Sequence, residues 1–105
     1  MVSLNVVARM EDAREIAIHV EIAAPETQAD GSAICRVSVA PLEQKPLEVR
    51  GIDSFHAVWL ACALVLKLLG HLRSAGAQLV SPDGSAFPLD AYLAGLDGDG
   101  AKKSG

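Results

Sequence analysis

Hydrophobic and polar residues alternate along the first quarter of the chain. Over residues 2–10, Val2, Leu4, Val6, Ala8 and Met10 share one face, and Ser3, Asn5, Val7 and Arg9 share the other. That pattern predicts a half-buried strand. Residues 14–23 alternate again, with Ile16, Ile18, Val20 and Ile22 on one side and Glu15, Ala17, His19 and Glu21 on the other. Glu11-Asp12-Ala13 falls between them as a turn, so the two segments predict an antiparallel hairpin. Pro25 to Ser32 reads as a loop with Asp30-Gly31 as its turn signal. Residues 33–40 predict a third strand with Ala33, Cys35, Val37 and Val39 facing inward, and Pro41 ends it. Residues 45–50 read as a short fourth strand. Pro46 has no N–H to donate, so this strand lies at an edge or begins at Leu47.

At Gly51 the period changes. Asp53 or Ser54 is a helix cap, and the spacing predicts a helix over 54–74, with Arg73 in its last turn and Gly76 as its stop. On a helical wheel, Phe55, Val58, Trp59, Ala61, Cys62, Val65, Leu66, Leu68, Leu69 and Leu72 fill a stripe about 180° wide, where an ordinary surface helix needs about 100°. His56, Lys67, His71 and Ser74 mark the polar side, and Leu60 and Leu64 fall on or beside it, one turn apart. One sheet face does not cover so much apolar surface. The remainder must meet the C-terminal segment (Phe87, Leu89, Tyr92, Leu93), a second copy of the chain, or a different protein. Ala77 to Ser81 reads as a fifth short strand, Pro82-Asp83-Gly84 as a turn, and Pro88 to Leu96 as a last short helix.

Strands first and a long helix afterwards imply an α+β fold: an antiparallel meander sheet of four to five strands with one long helix packed across one face. The 105 residues are one domain's worth of chain. Residues 1–96 are expected as a single α+β domain and 97–105 as a disordered C-terminal tail.

Half the residues are hydrophobic and 21% are charged, a balance that excludes a disordered chain. The net charge is −4, and the nine Lys and Arg are scattered, so the basic stripe of a nucleic-acid binder is missing. The uninterrupted apolar run, Ala57 to Leu66, is only half the length a bilayer span needs; His56, Lys67 and His71 break the longer segment. No membrane segment and no signal peptide are expected, which points to the cytoplasm of a bacterium-like cell. Cys35 and Cys62 have apolar neighbours and read as two buried, reduced thiols.

Candidate chemistry is sparse. His19, His56 and His71 lack i, i+3 or i, i+4 partners, and His56 and His71 sit about 22 Å apart along the helix, too far to share a metal ion. Cys62 and His56 point about 120° apart on the wheel, which excludes a thiol–imidazole pair. Asp97-Gly98-Asp99-Gly100 resembles a fragment of a calcium loop but lacks the later ligands. There is no P-loop and no dinucleotide fingerprint. No catalytic residue, metal or cofactor is therefore expected.

The helix opening, Gly51-Ile52-Asp53-Ser54-Phe55-His56-Ala57-Val58-Trp59-Leu60-Ala61, resembles that of a family of small uncharacterised bacterial proteins. Their motif is Gly-x-Asp-(Ser/Ala)-x-Gln-Ala-x-x-Leu-Ala, set after strands and before a short strand. Gly51, Asp53, Ser54, Ala57, Leu60 and Ala61 match it, over a layout covering about residues 5–81. His56 stands where Gln is expected, and Leu79-Val80 where a Trp often follows the helix. The family is a domain without an assigned activity, so the resemblance implies the fold and no catalytic residue.

These readings lead to one expectation: a non-catalytic interaction or accessory module, of which toxin neutralisation is one form. Its partner would be a second copy or another protein, met through a helix face bearing Leu60, Leu64, His56 and Lys67. The alternative is a small-ligand binder or enzyme with a pocket between helix and sheet, using His19 or His56 as its polar group.

Overall fold

The computed structural model describes residues 1–96 and the side chains of residues 1–94. The tail expected over 97–105 lies outside the described residues. The elements run β1 (Val2–Arg9), β2 (Glu15–Ile22), β3 (Glu26–Thr27), β4 (Ala33–Ala40), β5 (Leu47–Gly51), α1 (Ser54–Ser74), β6 (Gln78–Val80) and α2 (Leu89–Leu96). The fold is α+β, as the pattern predicts. The segment expected as a plain loop after Pro25 contributes a sixth, two-residue strand, β3.

Every pairing is antiparallel. Across the sheet the order is β6, β1, β2, β4, β5. β3 shares with β2 the same edge of β4, pairing Glu26 with Ile34 beyond the point where β2 ends. β1, β2, β4 and β5 form a meander, and α1 then carries the chain back across the sheet so that β6 joins the far side of β1. β5 begins at Leu47, after Pro46, because a proline cannot contribute an N–H to the ladder.

Alternation divides the sheet into two unlike faces. Val6, Ala8, Ile18, Val20, Cys35, Val37 and Val39 are buried beneath the helices. The opposite face carries Arg9, Glu15, His19, Arg36, Glu48 and Arg50, all exposed. It is laced by ion pairs: Arg9–Glu15 at 2.8 Å, Arg36–Glu48 at 3.1 Å, and Arg36–Glu26. Such exposed pairs contribute little stability individually. The core provides most of it, with Ile18, Leu69 and Leu89 the largest fully buried side chains.

Three tight turns share one hydrogen-bond scheme. In residues 28–32, Gln28 N–H donates to Ser32 O, Gly31 N–H donates to Gln28 O, and Ser32 N–H donates to Asp30 Oδ1. Residues 81–85 repeat it through Ser81, Gly84, Ser85 and Asp83. Residues 10–14 repeat it through Met10, Ala13, Arg14 and Asp12. The fourth residue is left-handed each time, at φ 89° for Gly31, 90° for Gly84 and 73° for Ala13. Glycine takes that conformation freely and alanine does not.

α1 ends in a Schellman motif. Gly76 is left-handed at φ 103°, its N–H donates to Arg73 O, and Ala77 N–H donates to Leu72 O. The chain thereby turns directly into β6.

Candidate functional site

α1 is the element on which the expected interaction residues lie. Its start is built by reciprocal capping. Asp53 is the N-cap and its Oδ1 accepts from His56 N–H at 2.8 Å, while His56 Nδ1 accepts from Ile52 N–H at 3.0 Å. This works like a capping box in which an imidazole replaces the usual Glu or Gln. The acceptor role requires the neutral ring with its proton on Nε2. His56 is thus occupied in holding the helix start.

The buried stripe of α1 consists of small and branched residues: Ala57, Ala61, Val65 and Leu69, with Leu66 beside them. Ala57 and Ala61 are fully buried, and their short side chains let the helix sit close over β4 and β5. In the helix opening, these residues act structurally: Gly51 for close approach, Asp53 for the cap, Ala57 and Ala61 for packing. Cys62, expected as a buried thiol, is only half-buried and lies at the stripe's edge, because the stripe centres on Ala61 and Val65. Both cysteines are free. Cys35 is buried, its thiol donates to Ala23 O at 3.2 Å, and burial, with Cys62 nearby, pushes its pKa up.

Two flanks remain on either side of the stripe. Leu60 and Leu64 lie about 120° and 80° from its centre on the side toward β5. They are half-buried, and with Val49, exposed Lys67 and half-buried Leu93 they line a groove of about 650 Å³. Glu48 and Arg50 stand at its margin.

The other flank carries the larger exposure. Phe55 and Trp59 lie about 100° and 140° from the stripe's centre, one turn apart. Phe55 is 81% exposed and Trp59 45%. The wheel places both inside the apolar stripe, but the sheet does not reach them. Pro25, Val58 and Cys62 border them. Beyond Cys62 a second hollow of about 200 Å³ opens between α1 and the sheet, lined by Leu4, Val20, Ile22, Cys62, Leu66 and Tyr92. Tyr92 stacks on Phe87 at 5.2 Å, and Arg73–Asp90 at 2.9 Å ties α2 to the end of α1. The signal in the sequence was the pair of aromatics at i, i+4 in the first turns of a helix whose buried stripe is otherwise alanine and aliphatic.

His19 lies on the exposed sheet face, its Nδ1 2.7 Å from Asn5 Oδ1 and its Nε2 2.9 Å from Glu21 Oε1. It does not line the hollow between helix and sheet, and neither does His56. Among the described residues, no cluster of three or more His, Cys, Asp or Glu side chains is placed to hold a metal ion. α1 is long and apolar enough to cross a bilayer by length and composition, and here its Ala57–Leu69 stripe is packed against the sheet. Compared with known protein families, curated proteins and solved structures, the chain matches none.

Proposed function

We propose that this protein is a non-catalytic interaction module that docks a partner protein through the flank of α1 bearing Phe55 and Trp59. The observation that carries this reading is the exposure of two aromatic side chains one turn apart on a helix otherwise anchored in the core. Burying a side chain of that size contributes about 1.5–3 kcal/mol, which folding leaves unused here and a partner would gain. Aromatic anchors surrounded by aliphatic residues are the usual centre of a protein interface. The border of Pro25, Val58 and Cys62 carries no carboxylate or ammonium group, which suits an apolar partner surface. An accessory protein of this kind acts by covering its partner, and neutralisation of a toxic protein is one form of that action.

The test uses tagged wild-type protein in its own host, with Phe55→Ser/Trp59→Ser and Leu60→Asp/Leu64→Asp as comparisons. One identified protein should be retained by the wild type and by the Leu60/Leu64 variant, and lost by the Phe55/Trp59 variant. It should then bind in purified form with a blue shift in Trp59 emission. Equal retention by all three overturns the reading.

A second reading rests on the hollow between α1 and the sheet. Its lining of Leu4, Val20, Ile22, Leu66 and Tyr92 suits a small apolar molecule. Native mass spectrometry separates the two readings by the size of the added mass.

A further inference from the structure

We infer that β5 is a self-association edge: two copies pair β5 to β5, antiparallel, about a two-fold axis through Val49, which joins the two sheets into one. This inference does not depend on the Phe55–Trp59 flank, which stays uncovered in such a dimer.

Three observations carry it. The first is the open edge. β5 is bonded to β4 on one side, and among the described residues no strand pairs with its other side. The opposite end of the sheet is less inviting, because β6 has three residues and Val80 is already bridged to Ala86. An open strand edge presents backbone donors and acceptors to any strand that fits.

The second is the charge order of β5, Leu47-Glu48-Val49-Arg50-Gly51. Antiparallel pairing centred on Val49 sets Glu48 against Arg50 of the second copy, and Arg50 against its Glu48. Centring on Glu48 would oppose two carboxylates, and centring on Arg50 two guanidiniums. Centring between residues would bring a polar-face residue opposite a core-face residue. The Val49 register alone keeps both faces and matches both charges. It also extends an existing row, since Arg36 already lies between Glu26 and Glu48 on the same face. Direct cross-strand pairs of opposite charge favour pairing and like charges oppose it.

The third is the position of α1. It packs over β4 and β5 alike. It starts above the end of β5 and then crosses the sheet toward β6, so its part beside β5 is the stretch bearing Leu60, Leu64 and Lys67. Across the two-fold axis these stretches of the two α1 helices approach each other, and the remainder of each helix diverges over its own sheet. The surfaces they turn to each other are the groove walls, Leu60, Leu64 and Leu93. Exposed Lys67 stays at the rim in water.

The experiment is sedimentation velocity with native mass spectrometry over a concentration series. Wild type should run as twice 10.9 kDa. Glu48→Arg and Arg50→Glu should each weaken dimerisation by about 100-fold or more, through two like-charge oppositions per dimer. Arg50 is held within the monomer by a bond to Ser32 Oγ at 3.0 Å, so Arg50→Glu tests the edge even if Glu48→Arg disturbs the pair with Arg36. Mixed in equal amounts, the two single variants should form a 1:1 heterodimer, and the double exchange Glu48→Arg/Arg50→Glu should dimerise again. A wild-type monomer at every concentration overturns the inference. So does a dimer indifferent to both reversals, or a mixture of the two variants that stays monomeric.

Discussion

Gly51, the last residue of β5, lies directly beneath the backbone of Ala57, the fourth residue of α1 after the Asp53 cap. A Cβ at position 51 would meet the backbone N of Ala57 in hard overlap and lie 2.7 Å from its Cα. Neither atom can step aside, because both belong to a capped helix packed on the sheet. Gly51→Ala is therefore expected to lower stability by at least about 1–3 kcal/mol. Urea unfolding should show a reduced midpoint with an unchanged m-value.

The three matched turns contain their own control. Position 13 holds alanine in the left-handed conformation that Gly31 and Gly84 occupy in the other two. Ala13→Gly should raise stability by about 1 kcal/mol, while Gly31→Ala and Gly84→Ala should each lower it by a similar amount. Nothing lies within 4 Å of a Cβ built at Gly31 or Gly84, so backbone conformation alone sets the sign there. Thermal melts of the three variants measure it.

The same turns predict the acid response. Asp12 is held below the ordinary carboxylate value of 3.8 by Arg14, its backbone N–H foremost. Ser32 does this for Asp30 and Ser85 for Asp83, the hydroxyl foremost and the backbone N–H next. A carboxyl whose pKa is lower folded than unfolded stabilises fully above its unfolded value, and loses that contribution as pH falls through the folded one. Melting temperature should thus decline as pH drops below about 4. Replacing all three with Asn keeps an acceptor oxygen and removes the titration, so the decline should flatten. A triple variant with the wild-type slope would refute this assignment.

Capping at the start of α1 separates chemistry from charge. Asp53→Ala should cost about 0.5–2 kcal/mol by leaving His56 N–H without its acceptor. His56→Gln should be nearly neutral, since an amide oxygen can still reach back toward Ile52 N–H. His56→Leu should destabilise by about 1 kcal/mol. Circular dichroism melts distinguish the three.

Much of this architecture was legible in the residues. Period-two alternation located β1, β2 and β4, and the Asp53 cap and Gly76 stop bracketed α1. β3 was not legible, because a two-residue pairing of Glu26 and Thr27 is set by the neighbouring β4 rather than by any periodicity of its own. The site divides in a similar way. The wheel correctly showed a helix with more apolar surface than one sheet face covers. It did not show which flank stays open, because that depends on where the sheet stops and where α2 lands. Leu60 and Leu64 consequently lie half-covered beside β5, while Phe55 and Trp59 project into solvent. The charge order of β5 was in plain view, but it gains meaning only once β5 is known to be an outer strand.

The pairing of β6 with β1 has a bearing on how the protein is made. Val7 lies opposite Val80, so β1 and its hydrogen-bonded neighbour β6 are separated by four strands and a helix that must be synthesised between them. The β1–β2 and β4–β5 hairpins close over short stretches and can form while translation continues. The free side of β1 waits, however, until α1 and β6 have emerged behind it. During that interval the nascent chain displays a bare strand edge beside an uncovered apolar face, the combination that ribosome-bound chaperones shield. Completion of the sheet is therefore a post-helical event, and β6 acts as its clasp.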